Sequence, residues 1–354
     1  MFEIDMLPVE SSTGPARTKS GDAIALRFTT PTDIRPKIVI IDGGYRDNGK
    51  DLVDHIRQYY DTNHVDLVIS THPDNDHISG LLVVLDELDV DELLIHQPRL
   101  HVSNVSLFSN IETVDAVLAL ARQRGVKISS PFTGLTRFDD HLLVLGPTQS
   151  YYEQLVLEHL IEAGWQQKAA GLRETALSHA FPHFAQKMER TLFMPEETLT
   201  DNVTTGPRNN TSVITLLRVG DARLLFTADA GIPALEAAAD HYETTVGDFG
   251  ITPLSFMQVP HHGSRHNVGP SILDRILGPK DGAPFAQVSA VISSAAADPG
   301  HPNPKVVNAF TRRGCYVVAT EGRTVCHTDG SVIRPGWGPV APLPALDEHG
   351  DDDA

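Results

Sequence analysis

The strongest chemical signal in the sequence is a run of six residues, HPDNDH, at positions 72–77. Two imidazoles, His72 and His77, and two carboxylates, Asp74 and Asp76, fall within it. Imidazole and carboxylate are the donors that divalent Zn, Mn or Fe accept in proteins. Side chains two apart in a loop can point the same way, so His72 and Asp74 can share one ion. Asp76 and His77 can then face a second ion.

A helix cap is the simpler interpretation of part of this run. Asp76 stands just before an apolar segment that begins near Ile78, and an Asp at such a position commonly caps a helix. A cap accounts for one carboxylate, but it does not account for two histidines and another aspartate beside it. The run therefore favours a metal site.

Later stretches carry further candidate groups. Asp229 ends an apolar run, RLLFTAD, and an ionised carboxylate is costly to bury unless it caps a helix, pairs with a cation or binds metal. His261 and His262 follow another such run, SFMQVP. His301 lies in a Pro-rich turn, GHPNP, where it either donates a proton to a leaving oxygen, holds a phosphate or only packs.

The segments around these residues alternate between strand and helix patterns, which indicates an α/β protein. Hairpins are predicted at 211–230 and, as the final element, at 315–328. Other strands are predicted at 23–30, 37–44, 64–71, 92–98, 141–147, 255–264 and 286–294. Helices are predicted at 49–60, 78–88, 110–125, 234–242 and 304–314. The HPDNDH run thus directly follows a buried strand.

Two segments differ from this pattern. Residues 148–208 are helical at first and then irregular and polar, so we expect an insertion near the mouth of the site. Residues 336–354 are Pro-rich and then acidic, and we expect a solvated, mobile tail. The remainder, 1–335, is predicted to form one domain that includes the insertion.

Composition limits the classes of function. The 354 residues include 46 acidic and 28 basic side chains, for a formal charge of −18, which argues against a protein that coats nucleic acid through a broad basic face. A local basic patch can offset this charge; its candidates are Arg208, Arg265, Lys305, Arg312 and Arg313. No secretory signal or apolar run long enough for a membrane span is found, and only two cysteines occur. We expect a cytoplasmic protein without a membrane part.

The HPDNDH run resembles the H-x-H-x-D-H loop of the metallo-β-lactamase superfamily, with Asp74 in place of the second His. This variant, followed by Ser79-Gly80, is similar to the soluble domain of competence-type DNA-uptake channel proteins. Further matches follow in that group's order over about residues 20–330: SGDAIALRF, VIIDGG, LLVLGP, NNTSVITLL, LLFTADA, VPHHGS and GHPNPKVVNAF. Neither 148–208 nor the tail is covered.

The resemblance implies a four-layer αβ/βα sandwich with two divalent ions, Zn or Mn, at one edge of its sheets. The implied ligands are His72, Asp74, Asp76, His77, Asp229 and His262. Asp229 would bridge the ions, while a helix cap is the alternative role for it. An aspartate in place of a histidine makes the ligand set of the first ion harder, which shifts its preference from Zn towards Mn or Mg.

Other residues receive supporting roles from the same resemblance. Asp42 is expected to orient a ligand histidine. His261 is a possible additional ligand or a substrate-side group, and either Asn209 or Asn210 lies where many relatives carry a third histidine for the first ion. Ser264 and Arg265 are candidates for contact with an anionic substrate.

The implied function is metal-dependent hydrolysis, with Asp76 and His301 as the catalytic candidates. The resemblance favours a phosphodiesterase or nuclease that acts on DNA or a related phosphoester. Two alternatives stay open: a non-catalytic or regulatory metal-binding protein, and a hydrolase of a small ester that is not a nucleic acid.

Overall fold

The structure is a computed structural model that describes residues 1–10, 19–173, 194–280, 282–298 and 300–348. Its strands are β1 (Phe2–Met6), β2 (Ala23–Phe28), β3 (Lys37–Gly43), β4 (His64–Val65), β5 (Leu67–Ile69), β6 (Asp89–Val90), β7 (Glu92–Leu94), β8 (Lys127–Ser129), β9 (Thr136–Arg137), β10 (Leu142–Gly146), β11 (Ile214–Val219), β12 (Ala222–Phe226), β13 (Phe256–Gln258), β14 (Ser289–Ile292), β15 (Tyr316–Ala319) and β16 (Val325–Thr328). Its α-helices are α1 (Arg46–Tyr60), α2 (Asn75–Ile78), α3 (Leu81–Glu87), α4 (Ile111–Gln123), α5 (Gln149–Arg173), α6 (Pro207–Asn210), α7 (Ile232–Thr245), α8 (Pro270–Leu277) and α9 (Pro304–Arg312).

Two seven-stranded sheets make up the centre of the molecule. The first has the order β16-β1-β2-β3-β5-β7-β8, and the second has the order β15-β14-β13-β12-β11-β10-β9. Strands β4 and β6 form a separate short pair. In each sheet an antiparallel half adjoins a parallel half: β3, β5, β7 and β8 run parallel in the first, and β12 to β15 run parallel in the second.

Three hydrophobic clusters fill the interfaces between four layers. One joins the first sheet to α1, α3 and α4, and another joins the second sheet to α7, α8 and α9. The third lies between the two sheets. The four-layer αβ/βα sandwich expected from the sequence is therefore confirmed.

Strand periodicity explains why these runs are apolar on both faces. In β2, Ala25 belongs to the helix-side cluster, whereas Ile24 and Leu26 belong to the cluster between the sheets. In β3, Ile40 and Ile41 divide in the same way. Successive side chains of a strand point to opposite faces, so a strand that is covered on both sides needs a continuous apolar run.

The predicted final hairpin is wrong. β15 pairs parallel with β14 in the second sheet, and β16 pairs antiparallel with β1 in the first. Val318 and Val325 nevertheless both lie in the cluster between the sheets. The chain crosses from one sheet to the other at Glu321-Gly322, because the edge of the first sheet offers β16 a partner that the sequence analysis had not identified.

That partner, β1, escaped the sequence analysis because acidic residues interrupt its apolar pattern. Phe2 and Ile4 face the cluster between the sheets, whereas Glu3 and Asp5 point the other way and are also buried. Arg334 forms ion pairs with both carboxylates, at 3.1 and 2.7 Å. A buried carboxylate needs such a partner, and the partner comes from the far end of the chain.

The C-terminal segment is not a solvated tail throughout. Glu348 is fully buried, and its carboxylate accepts hydrogen bonds from the Thr198 backbone N–H at 2.8 Å and from Asn308 Nδ2 at 2.9 Å. It also pairs with Arg312 at 2.6 Å. The expectation of solvation is wrong for this acid, because its partners lie on α9 and, at Thr198, in the last part of the insertion. Residues 349–354 lie outside the described residues.

The structure changes one expectation about the helices and confirms another. The helix predicted at 78–88 is divided into α2 and α3, and α2 begins within the HPDNDH run. The helical start of the insertion is confirmed as α5, while residues 174–193 of its irregular part lie outside the described residues. Within the described ranges, no helix has both the length and the apolar character that crossing a bilayer requires.

We expect Glu348→Ala to lower the free energy of unfolding by about 3 kcal/mol, because it leaves a buried arginine without its partner. Urea unfolding followed by circular dichroism measures the change. Glu112→Ala, which removes an exposed acid from the first turn of α4, is the control and should change stability little. Equal stability of the two variants would show that the C-terminal segment does not support the fold.

Candidate metal centre

The candidate residues meet at the edge where strands of both sheets end. The HPDNDH run follows β5, Asp42 is the penultimate residue of β3, Asp229 follows β12, and the two histidines His261 and His262 follow β13. Because β3 and β5 are parallel and β12 and β13 are parallel, their carboxyl ends lie together. The fold thus brings residues from distant parts of the sequence to one place.

Asp229 lies at the middle of this group, with 2% of its side chain exposed. Its Oδ1 is 3.4 Å from Nε2 of His77 and 3.7 Å from Nε2 of His262. Its Oδ2 is 3.5 Å from Nε2 of His72 and 3.4 Å from Nε2 of His261. Each oxygen of one carboxylate therefore faces its own pair of imidazoles.

Two further carboxylates complete the two halves. Asp76 Oδ2 is 3.9 Å from His77 Nε2 and 3.8 Å from His262 Nε2. Asp74 Oδ2 is 3.8 Å from His72 Nε2. The second half of the centre therefore combines Asp76, His77 and His262 with Asp229, and ligating atoms of the first three lie within 4.8 Å of one another.

The first half combines His72, Asp74 and His261 with the other oxygen of Asp229. The sequence analysis left the choice between His261 and His262 open, with His262 favoured. The structure turns both imidazoles to Asp229, one to each oxygen. Each half is therefore a mixed set of imidazole and carboxylate groups.

An unusual backbone makes this double use of neighbouring histidines possible. His261 and His262 have φ of 48° and 55°, and Gly263 follows with φ of 83°. Left-handed conformations cost non-glycine residues about 1–3 kcal/mol and recur at functional sites, where the surrounding structure compensates for them. Consecutive left-handed residues let both imidazoles reach the same carboxylate.

The opposite nitrogen of each imidazole is held by a polar group. His77 Nδ1 is 2.8 Å from Asp42 Oδ2, and His262 Nδ1 is 2.9 Å from the Ser293 carbonyl oxygen. An acceptor at Nδ1 fixes the tautomer and leaves the lone pair of Nε2 directed into the centre. The role expected for Asp42, to orient a ligand histidine, agrees with this contact.

The first half has the same kind of support. His261 Nδ1 is 2.9 Å from Asn267 Oδ1, and the amide of Asn267 donates at 2.7 Å to the Asp229 carbonyl oxygen. His72 Nδ1 is 3.0 Å from Thr71 Oγ1, which donates its own proton to Asp42 at 2.6 Å. Asp42 therefore positions both halves, one directly and one through a hydroxyl.

Some of the buried polar atoms that have no hydrogen-bond partner in the described part of the molecule lie at this centre. Among them are Nε2 of His72, His77 and His262 and one carboxylate oxygen each of Asp22 and Asp229. Such atoms are costly to leave unsatisfied, and a divalent cation satisfies them with the donors it prefers. The residues present therefore fit a pair of divalent metal ions.

Burial shapes the protonation of these groups. It raises the pKa of Asp74 to about 6 and that of Asp22 to about 7, and it lowers the pKa of His262 to about 3. Burial also tends to raise the pKa of Asp229. The surrounding imidazoles outweigh this effect and hold the pKa of Asp229 well below its usual value. The centre thus keeps an ionised carboxylate among histidines.

Glycine at position 80 lets the HPDNDH run approach the first sheet. The Gly80 N–H donates to the Gly44 carbonyl oxygen at 2.9 Å. A Cβ atom at Gly80 would collide with the Gly43 carbonyl oxygen, which is backbone and cannot move aside. Close packing of α2 on β3 therefore depends on this glycine, which follows the motif in the sequence.

Some predicted site residues do not join the centre. The side chain of Asn210 accepts from the Gly231 N–H at 3.0 Å and donates to the Thr205 carbonyl oxygen at 3.2 Å, so its amide is used within the fold. The prediction of Asn210 as an additional ligand is therefore not supported. Ser264 is buried, and its hydroxyl accepts from the His266 N–H at 3.3 Å, so its substrate role stays a prediction. Arg265 is half-buried in the same turn.

Two members of the predicted basic patch are also elsewhere. Arg312 pairs with Glu348, and Arg313 is buried with Glu197 at 2.7 Å and Asp274 at 2.7 Å. Their charges are neutralised within the second helical layer. The patch as predicted, with both arginines beside the site, is therefore wrong.

His301 lies beside the centre, with 28% of its side chain exposed. Its ring stacks on that of His261, with centroids 5.7 Å apart. Its Nδ1 is 3.3 Å from Asp298 Oδ2, and that carboxylate accepts from Ser20 Oγ at 2.8 Å. Asp298 was not identified from the sequence, because only the fold brings residue 20 to this loop.

Other supporting residues were missed for similar reasons. Asp22 was noted only as part of a matching hairpin, yet it is buried beside His77 and accepts from Gln258 Nε2 at 2.7 Å. Asn267 lies five residues after His262 and carries no motif of its own. Arg208 was considered only as one charge of a patch, whereas it contacts Asp74 directly.

Comparison with known proteins gives similarity of structure alone. No family model and no curated protein sequence matches the chain. A metallo-β-lactamase fold protein from Bacillus subtilis, YhfI, is 10% identical, with 92% of this chain and 100% of that chain covered and a TM-score of 0.44. A metallo-β-lactamase from Hirschia baltica is 9% identical, with 68% and 80% covered and a TM-score of 0.32. A diphosphatase of the PhnP family is 12% identical, with 92% and 98% covered and a TM-score of 0.37. The resemblance to competence-type proteins stays a prediction.

We expect Asp42→Asn to weaken the binding of Mn or Zn by about 10–100-fold, because it disturbs the group that orients His77 and, through Thr71, His72. Isothermal titration calorimetry on metal-free protein measures the affinity. Asp47→Asn, which changes an exposed acid in α1, is the matched control. Unchanged affinity in a folded Asp42→Asn protein would contradict the supporting role of this carboxylate.

Proposed function

We propose that the protein is a metal-dependent hydrolase that cleaves phosphodiesters, with DNA or a related phosphoester as its substrate. The observation that carries the proposal is the arrangement around Asp229, whose two carboxylate oxygens face different pairs of imidazole nitrogens. Divalent cations held there supply Lewis-acid activation of water and of the attacked ester. The ligands would be His72, Asp74 and His261 in one half and Asp76, His77 and His262 in the other.

The balance of donors favours a hard metal. The centre contains four buried or half-buried carboxylates besides its imidazoles. A ligand set rich in carboxylates suits Mn or Mg better than a set made only of imidazoles or rich in thiolates. The carboxylates are Asp22, Asp74, Asp76 and Asp229. We therefore propose Mn as the first metal to test and Zn as the second.

Asp76 is the carboxylate best exposed to an entering water. Its side chain is 25% exposed, against 16% for Asp74 and 2% for Asp229. We assign Asp76 the orientation of the attacking water.

His301 is the candidate for the group that protonates the leaving oxygen. Its Nδ1 is engaged with Asp298, so Nε2 is the atom available to a substrate. Its position against the His261 ring supports a contact with the oxygen that leaves the phosphorus. We assign His301 the transfer of a proton to that oxygen and Asp298 the orientation of the imidazole.

The charge of the protein bears on the choice among nucleic acids. A net charge of −18 repels a long duplex, whose binding depends on many contacts between basic side chains and phosphates. A short or single-stranded substrate needs fewer such contacts. We therefore propose short or single-stranded DNA, or a small phosphodiester, ahead of long duplex DNA.

We expect hydrolysis of bis-p-nitrophenyl phosphate with added Mn, and we expect Asp76→Ala/His77→Ala to reduce the rate to background. The release of p-nitrophenolate measures it, and Asp91→Ala, an exposed acid, is the control that should keep the wild-type rate. Equal rates in the double variant and the wild type would contradict the proposal and favour a non-catalytic metal-binding protein. Single-stranded DNA, duplex DNA, RNA and small phosphoesters then identify the substrate.

We expect His301→Gln to slow the cleavage of a dinucleotide by about 100-fold or more, because its alkoxide must be protonated as it leaves. The same variant should slow bis-p-nitrophenyl phosphate much less, since p-nitrophenolate leaves without a proton. Steady-state rates on both substrates provide the measurement. An equal loss on both would contradict proton donation by His301.

A further inference from the structure

Arg208 contacts the centre from the end of the insertion. It lies on α6, which packs against α5, and its Nε is 2.5 Å from Asp74 Oδ1. The contact is an ion pair but not a hydrogen bond, because the N–H does not point along the line to the oxygen. Arg208 is therefore attached to the first half of the centre without being locked there.

The rest of the guanidinium is available. Nε is buried, yet 31% of the side chain is exposed, so the exposure belongs to its other atoms. No hydrogen bond joins Nη1 or Nη2 of Arg208 to a residue that the structure describes, and its ion pair with Asp74 is closest at Nε. A guanidinium presents these two nitrogens as a planar fork that matches two oxygens of a phosphoryl group.

The charges of the centre show why such a group is needed. Two divalent cations would do no more than balance the four carboxylates Asp22, Asp74, Asp76 and Asp229, and the buried carboxylate of Asp42 lies beside them. An anionic phosphodiester would then meet no net attraction. Arg208 adds a positive charge in contact with Asp74, at the side of the centre where that carboxylate is 16% exposed.

We propose that Arg208 binds the non-bridging oxygens of the substrate phosphoryl group through Nη1 and Nη2, while Nε stays beside Asp74. This inference rests on the proposed function, since it names how the same centre recognises a phosphoester. It also gives the insertion a purpose, because Arg208 is its last residue and reaches the centre only through α6. Arg208 recognises the substrate and holds it, and it forms and breaks no covalent bond.

The test uses inorganic phosphate as the probe and the Mn-loaded full-length protein. We expect Arg208→Gln to weaken phosphate binding by about 10–100-fold, as the loss of charge-assisted hydrogen bonds does, while Mn stoichiometry stays the same. Arg208→Lys should restore part of the affinity, because it keeps the charge but loses the fork. Arg99→Gln, which removes an exposed arginine paired with Asp115, is the matched control and should bind phosphate as the wild type does.

Steady-state kinetics gives a second measurement. With bis-p-nitrophenyl phosphate, we expect Arg208→Gln to raise KM by a similar factor and to change kcat less. Wild-type phosphate affinity in Arg208→Gln would overturn the inference. Loss of Mn together with phosphate would also overturn it, because Arg208 would then act by maintaining the metal centre. Failure of the Mn-loaded wild type to bind phosphate would overturn the phosphoester proposal itself, and the role of Arg208 with it.

Discussion

The burial of one ionised carboxylate, that of Asp229, constrains the rest of the structure. An unpaired ion inside a protein costs several kcal/mol, so the fold must supply compensating groups from every direction. The four imidazoles around it come from both sheets: His72 and His77 from the first, and His261 and His262 from the second. Because their Nε2 lone pairs face the carboxylate, divalent cations bound between them would supply the compensating charge. The site therefore needs the strand ends of both sheets to lie together. The geometry of the site thus depends directly on how the two sheets pack.

Hydrogen bonds from neighbouring groups orient the imidazoles around Asp229. Each imidazole that faces Asp229 has an oxygen beside its Nδ1. The four oxygens belong to the Asp42 carboxylate, the Ser293 backbone carbonyl, the Asn267 side-chain amide and the Thr71 hydroxyl. These contacts orient the imidazoles before any ion binds. Rigid, preorganised donors bind a metal without the cost of ordering side chains. This order extends outward to His301, which Asp298 and Ser20 hold in a similar way.

The sequence predicted the parts of the fold and site that depend on local pattern. Strand and helix periodicity indicated an α/β protein, and the HPDNDH run indicated a metal site, because four donors close together in sequence stay close in space. What failed depended on distance along the chain. β1 was missed because Glu3 and Asp5 look unlike a buried strand until Arg334 is known to pair with them. The prediction of a final hairpin was wrong because β15 and β16, although adjacent in sequence, pair with strands of different sheets. Asn267 and Arg208 carry no motif, and only the packing of the Asn267 loop and of α6 on the centre reveals them.

Crystals grown with Mn and measured at a wavelength where Mn scatters anomalously test the central claim most directly. The account predicts two anomalous peaks, one against each oxygen of the Asp229 carboxylate, with His72 and His261 beside one and His77 and His262 beside the other. Anomalous density that is absent from this edge of the sandwich, or that lies away from Asp229, would contradict it.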